Sequence, residues 1–167
     1  MEKDPRELPE LGQSVPEREI VVTRTIDGPP HVVFEAFTEV RHLSQWWGPK
    51  GFSTTTHSFE FRPGGLWEFT MHGPDRTDYP NVIEWIEIEA PKRMVFRHGA
   101  TVDDPESFIS TVTLVLKGIG TEVTLRTIFS TASQREKVVW EYRAIEGAEQ
   151  TLGRLAEHVA SWATATD

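Results

Sequence analysis

The run Phe61 to Asp75, FRPGGLWEFTMHGPD, places two adjacent glycines, an arginine, a histidine and an aspartate within one short stretch, and Asp78 follows. Adjacent glycines can let backbone N–H groups cradle a phosphate, and His72, Asp75 and Asp78 can be drawn as ligands of a metal ion. Neither pattern is complete. RPGG lacks the Lys-Ser/Thr pair of a phosphate-binding loop and has no helix after it to lend its dipole, so its chemistry is that of a tight turn between strands. The acids near His72 belong to a loop, where carboxylates are solvated or cap turn amides, and no metal ligand set is assigned. His57, His98 and His158 fall in regular elements, and His98 follows Met94 and Phe96 onto one strand face as a polar point among apolar neighbours. Glu84 alternates with Val82 and Ile86, and Glu149 lies in a helical pattern; a carboxylate buried on such a face would have its pKa raised by desolvation. Asp103, Asp104 and Glu106 surround a proline and read as a solvated turn. There is no Gly-x-Ser-x-Gly elbow, no cysteine and no His-Glu-x-x-His, so no catalytic residue is assigned.

Composition narrows the partners. The 167 residues carry 17 basic and 26 acidic side chains, a net charge of -9 that repels nucleic-acid backbones and anionic lipid surfaces. Without cysteine there is no disulfide or thiolate chemistry, and a cytoplasmic location is expected. No apolar run approaches the roughly 20 residues that span a bilayer. Six tryptophans and nine phenylalanines supply large apolar area, enough for the walls of a core or a pocket.

Residues 1–18, with three prolines and many charges, read as a flexible extension, and 19–163 as one domain. EIVVTRTI (19–26) is a strand stopped by DGPP. Pro30 then suits the first turn of a helix carrying Val33, Phe34 and Phe37, followed by a second short helix through Leu43, Trp46 and Trp47. From Phe52 to Phe129 six strand patterns follow at hairpin spacing: 52–61, 66–72, 81–89, 93–99, 107–117 and 121–129. Alternation places Trp67, Phe69 and Met71 on one face, and Val112, Leu114 and Leu116 on the buried face of a later strand. After a short helical lead-in at 131–140, apolar or small residues at Ile145, Ala148, Leu152, Leu155, Val159 and Trp162 form a helical stripe of about five turns. The order predicts an α+β fold in which one curved antiparallel sheet grips a long C-terminal helix.

These segments resemble the START-like, helix-grip superfamily, and within it the branch named after the C-terminal domain of the activator of Hsp90 ATPase. The resemblance rests on RTIDGPPHVVFEAFTEVRHLSQWWGP, EFRPGGLWEFTMHGPD, DYPNVIEWIEIEAPKRMVFRHG and EGAEQTLGRLAEHV, and spans residues 19–163. It implies a seven-stranded antiparallel sheet wrapped on the C-terminal helix with a mostly apolar cavity between them. Two positions depart from the family pattern: Glu60 stands where relatives tend to have aspartate, and Arg76 where a turn usually ends in glycine.

The expected function is binding of a small apolar molecule, lipid-, polyketide- or aromatic-like. Trp47, Trp67, Phe69, Met71, Phe96, Leu152 and Leu155 are the expected lining, and Glu84, His98 and Ser110 the orienting polar groups. No cofactor is expected. A cyclase or hydrolase using the same cavity is the first alternative, with a buried titratable group as its requirement. Contact with an Hsp90-type chaperone ranks last, because residues 1–18 are too few to replace the separate N-terminal domain that such a co-chaperone uses. Self-association through a free sheet edge is a further possibility that the sequence does not locate.

Overall fold

The computed structural model of the chain describes residues 16–165, so the expected N-terminal extension lies outside the described residues except for its last three. The element order is β1 (Glu19–Ile26), α1 (Pro30–Thr38), α2 (Val40–Trp46), β2 (Ser53–Phe59), β3 (Leu66–His72), β4 (Asp78–Glu89), β5 (Arg93–Gly99), β6 (Phe108–Lys117), β7 (Gly120–Ile128), α3 (Ala132–Glu141) and α4 (Ala144–Ala165). The seven strands form one antiparallel sheet in the order β1-β7-β6-β5-β4-β3-β2. Strands β2 to β7 are a meander of sequence neighbours, and β1 closes the far side against β7. This is the helix-grip arrangement, with two short helices after the first strand and a 22-residue helix at the end. No described helix is long and apolar enough to cross a membrane.

Pro30 opens α1 at a position whose N–H would have no partner in any case. Trp46 ends α2 fully buried, its ring edge-on to Phe37 at 4.8 Å and its indole N–H donated to the Ala36 carbonyl at 3.1 Å. Leu152, Leu155 and Val159 of α4 are buried as the stripe requires. Of the two glycines in that helix, Gly147 has a reason: a Cβ there would come within 3.3 Å of Pro49, so glycine lets α4 approach the loop after α2. Nothing in the structure explains Gly153.

Strand boundaries differ from the sequence reading by more than one residue in two places. β4 begins at Asp78 and includes Pro80, which pairs with Thr70 of β3 where β5 does not yet flank β4, so the missing proline N–H deprives no neighbour. β2 stops at Phe59, after a bulge near His57, and leaves Glu60 and Phe61 to the turn. Leu116 shares the parity of Val112 and Leu114 yet is exposed, as are Val115 and Ile119 beside it at the β6–β7 hairpin.

The RPGG segment spends its backbone on β4. The Gly64 N–H donates to Trp85 O at 2.7 Å, and the Trp85 N–H donates to Gly65 O at 3.0 Å, just before the register shift between Trp85 and Glu87. Gly64 takes φ +84, and a Cβ on Gly65 would lie 2.2 Å from the Glu60 carbonyl. The two glycines thus serve different needs, a left-handed turn and a close backbone approach. Arg62 folds back on the Glu60 carboxylate at 2.6 Å, with both side chains exposed.

Arg76 sits at φ +68, in the left-handed region where a side chain is strained. The turn around it is otherwise well satisfied: the Gly73 N–H donates to Thr77 O, the Arg76 N–H to Gly73 O, and Asp75 accepts from the Thr77 N–H at 3.0 Å. That last bond lowers the Asp75 pKa. Arg76→Gly is expected to raise the unfolding free energy by about 0.5–1 kcal/mol, the relief of strain being partly offset by a more flexible unfolded chain. Urea denaturation checks it, and an unchanged or lower midpoint would show the arginine to be making a compensating contact.

Candidate functional site

Between the concave sheet face and α4 lies a cavity of about 360 Å³. The sheet contributes Ile20 from β1, Phe96 and His98 from β5, and Ser110 and Val112 from β6. The loop after α2 contributes Trp47, Gly48 and Pro49, and α4 contributes Ala148, Thr151 and Leu152. Small residues on this part of α4 leave the space open, because a larger stripe would fill it. At the junction of α3 and α4, Val138 and Tyr142 complete the wall, and Tyr142 is largely exposed there. No charged side chain lines the cavity among the described residues.

The structure brings together six of the residues singled out from sequence: Trp47, Met71, Phe96, His98, Ser110 and Leu152. Trp67, Phe69 and Leu155 are buried but lie outside the lining. Trp67 and Phe69 stack on each other at 3.8 Å, and Trp47 packs edge-on against that pair at 5.1 and 6.2 Å, so Trp47 supplies the wall. Trp67 also donates its indole N–H to Thr56 Oγ1 at 3.0 Å. Glu84 alternates away from the buried Ile83 and Trp85 and stands opposite Arg97 on the other face of the sheet, so the expectation that it orients a ligand in the cavity is corrected. Glu149 is exposed on α4, and His57 bonds Thr70 in an exposed position.

His98 is the principal polar group. Its Nε2 lies 2.7 Å from Asn81 Oδ1, and its ring packs 4.9 Å from that of Phe108. With Oδ1 as acceptor, Nε2 carries the proton and Nδ1 keeps its lone pair. Burial pushes the His98 pKa down to about 4, against a smaller upward pull from the Asp104 carboxylate. Asp104 itself caps a turn, accepting from the Ala100 and Glu106 N–H groups. The other polar lining is paired internally: Ser110 and Thr127 hydroxyls meet at 3.0 Å across β6 and β7, and the Thr151 hydroxyl donates to Gly147 O at 2.8 Å.

A depressed histidine pKa has a signed consequence for stability. The unfolded chain takes up a proton near pH 6.5 while folded His98 stays neutral to about pH 4. Its contribution is therefore present in full above pH 6.5 and is lost as pH falls toward 4, to a total of about 3 kcal/mol. His98→Gln, which never charges, is expected to flatten that part of the stability profile. Urea titrations of both proteins at several pH values check this, and parallel profiles would refute it.

The sequence did not point to Arg154. From α4 its Nη1 donates to the carbonyls of Trp47, Gly48 and Pro49 at 2.9–3.0 Å, and its Nη2 to that of Gln45 at 3.1 Å. Burial lowers its pKa, opposed by nearby Glu157, and the guanidinium fixes the loop that walls the cavity. Repeated bare carbonyls after a helix end, in WWGP, are the signal that a donor is needed there.

The histidine and acids of the β3–β4 turn do not converge. His72 is held between Asp78 at Nδ1 and Thr55 at Nε2, both at 2.7 Å, while Asp75 turns to Thr77. A different cluster, Glu35, Glu39 and His42, does bring its donor atoms within 4.8 Å of one another.

Comparison with known proteins agrees with this fold. The sequence pattern of the family described as activator of Hsp90 ATPase homolog 1-like protein matches residues 27–160. A protein of Nitrosomonas europaea superposes with a TM-score of 0.81 at 24% identity, over 90% of this chain and 99% of its own. One from Arthrobacter aurescens gives 0.80 at 25% identity, over 89% and 90%. The AHSA1 protein of Silicibacter pomeroyi gives 0.66 at 21% identity, over 85% and 97%. No curated protein matches the chain.

Proposed function

The chain belongs to the activator of Hsp90 ATPase homolog 1-like family, in the START-like superfamily, and from that premise we propose that it binds a small, uncharged, largely apolar molecule in the cavity between sheet and α4. The observation that carries this reading is the cavity itself, about 360 Å³ with a largely apolar wall. That volume lies in the range of small-molecule sites. With no charged side chain in the lining among the described residues and His98 neutral, none of them offsets the cost of desolvating a carboxylate or ammonium. The bare Nδ1 of His98 suits a ligand carrying one hydroxyl or N–H donor. Affinity then comes from burial of apolar area at roughly 25 cal/mol per Å², and orientation from that one bond. The same neutrality favours a binding role over a general-base role near pH 7, since a base of such low pKa removes protons poorly.

Trp46 and Trp47 line the cavity, so indole fluorescence is the natural readout. Titration with uncharged sterol, polyketide and aromatic probes is expected to give saturable quenching by at least one class. Ala148→Phe projects a ring into the space, displacing about 100 Å² of ligand contact, and is expected to weaken that probe about a hundredfold. Absence of saturable binding by every uncharged class, or equal binding by the variant, would remove the reading. A second reading rests on the family match alone: contact with an Hsp90-type chaperone, measured as stimulation of the chaperone's ATPase that Ala148→Phe leaves intact.

A further inference from the structure

At the corner between α1 and α2, away from the cavity, we propose that Glu35, Glu39 and His42 form a binding site for a divalent transition-metal ion of the zinc, cobalt or nickel kind. Glu35 lies in the last turn of α1, Glu39 joins the two helices, and His42 is in the first turn of α2. Their donor atoms lie within 4.8 Å of one another. None of the three lines the cavity, so the site stands or falls independently of the small-molecule reading.

The second observation is the state of His42. The residue is only 5% exposed, yet its Nε2 is buried without a hydrogen-bond partner. That nitrogen is 3.6 Å from Glu39 Oε2. On the other side of the ring, Nδ1 lies 2.9 Å from Nε2 of His158 on α4, and the ring packs 4.3 Å from that of Trp162. When Nδ1–H donates to His158, the lone pair of Nε2 faces the carboxylates. A metal-binding histidine is held in this way, with one nitrogen fixed by an outer partner and the other left bare toward the ion.

Charge favours the same occupant. Two acids crowd the C-terminal end of α1, where helix carbonyls already concentrate negative potential, and the last turn of α1 holds no basic residue. Arg41 answers part of this, its Nε 2.7 Å from Glu39 Oε2, but the arginine is mostly exposed and such a bridge is weak enough to yield. One imidazole with two carboxylates suits a borderline ion better than calcium or magnesium, which prefer oxygen alone. Zinc binds nitrogen and carboxylate oxygen at about 2.0–2.2 Å, which sets tetrahedral donors about 3.3 Å apart, close to the observed nitrogen–oxygen spacing. Both glutamates are exposed and can close the remaining gap, with water completing the shell.

The test uses the untagged full chain, stripped with chelator and titrated with zinc by calorimetry, with cobalt absorption reporting coordination. Saturable binding of one equivalent is expected, with loss of the His42 Nε2 lone-pair signature in imidazole nitrogen NMR. Glu35→Gln and Glu39→Gln, at surface positions that leave the fold intact, are each expected to weaken zinc at least tenfold. Arg41→Gln, by freeing Glu39, is expected to tighten it. The proposal is overturned by no saturable binding, by binding that neither glutamate variant weakens, or by a His42 found protonated at both nitrogens near neutral pH and simply paired with Glu39.

Discussion

Trp67→Ala is expected to lower the unfolding free energy by about 3–5 kcal/mol, a large share of the stability of a domain this size. The ring is fully buried, stacked on Phe69, flanked by Trp47 and Phe59, and bonded through its indole N–H to Thr56. Truncation leaves a void that rigid aromatic neighbours cannot collapse into, and a hydroxyl without its donor. Denaturant unfolding measures the loss. A pocket-wall residue facing an empty cavity would cost much less, so a change below about 1 kcal/mol would show that Trp67 contributes to the cavity surface after all.

Arg154→Met is expected to cost about 2–4 kcal/mol and to weaken cavity ligands as well, because one side chain serves four backbone carbonyls at the end of α2. Methionine keeps much of the packing volume but leaves those acceptors partly buried and unpaired. Arg154→Lys recovers only part of the loss, since a single ammonium cannot span acceptors from Gln45 to Pro49. The stability change is read from urea unfolding, and the loop itself from Trp47 fluorescence. A stable variant with an unshifted emission spectrum would mean that the loop is held by its own contacts.

These two side chains also show where sequence reasoning reaches its limit. Period-2 alternation correctly put Trp67, Phe69 and Met71 on one face, because side-chain direction along a strand is a local property. Depth is not local: Met71 lines the cavity while Trp67 and Phe69 are sealed behind Trp47, a residue from a different element. Parity also contained the answer for Glu84, which alternates with the buried Ile83 and Trp85, but which face is inward depends on what covers the sheet. The α4 stripe was legible from its spacing. The part of it that matters for the cavity is where the stripe turns small, at Ala148 with Thr151 beside it, and smallness in a helix does not announce a void. Arg154 and the pairing of His42 with His158 bring together elements about a hundred residues apart, which no local pattern encodes.

The position of β1 determines when the sheet can be completed during synthesis. Each strand from β2 to β7 finds its neighbour in the next hairpin, whereas β1 pairs only with β7, Glu19 opposite Ile128. As the chain leaves the ribosome, EIVVTRTI emerges before the other six strands and has no native strand partner until nearly the whole meander has followed. A β-branched segment left waiting in this way is open to pairing with other chains. Glu19, Thr23, Arg24 and Thr25 are the polar residues within it that disfavour such pairing. Contacts of such long sequence separation carry the largest loop-closure cost in the sheet, so β1 docking onto β7 is expected to come late in folding.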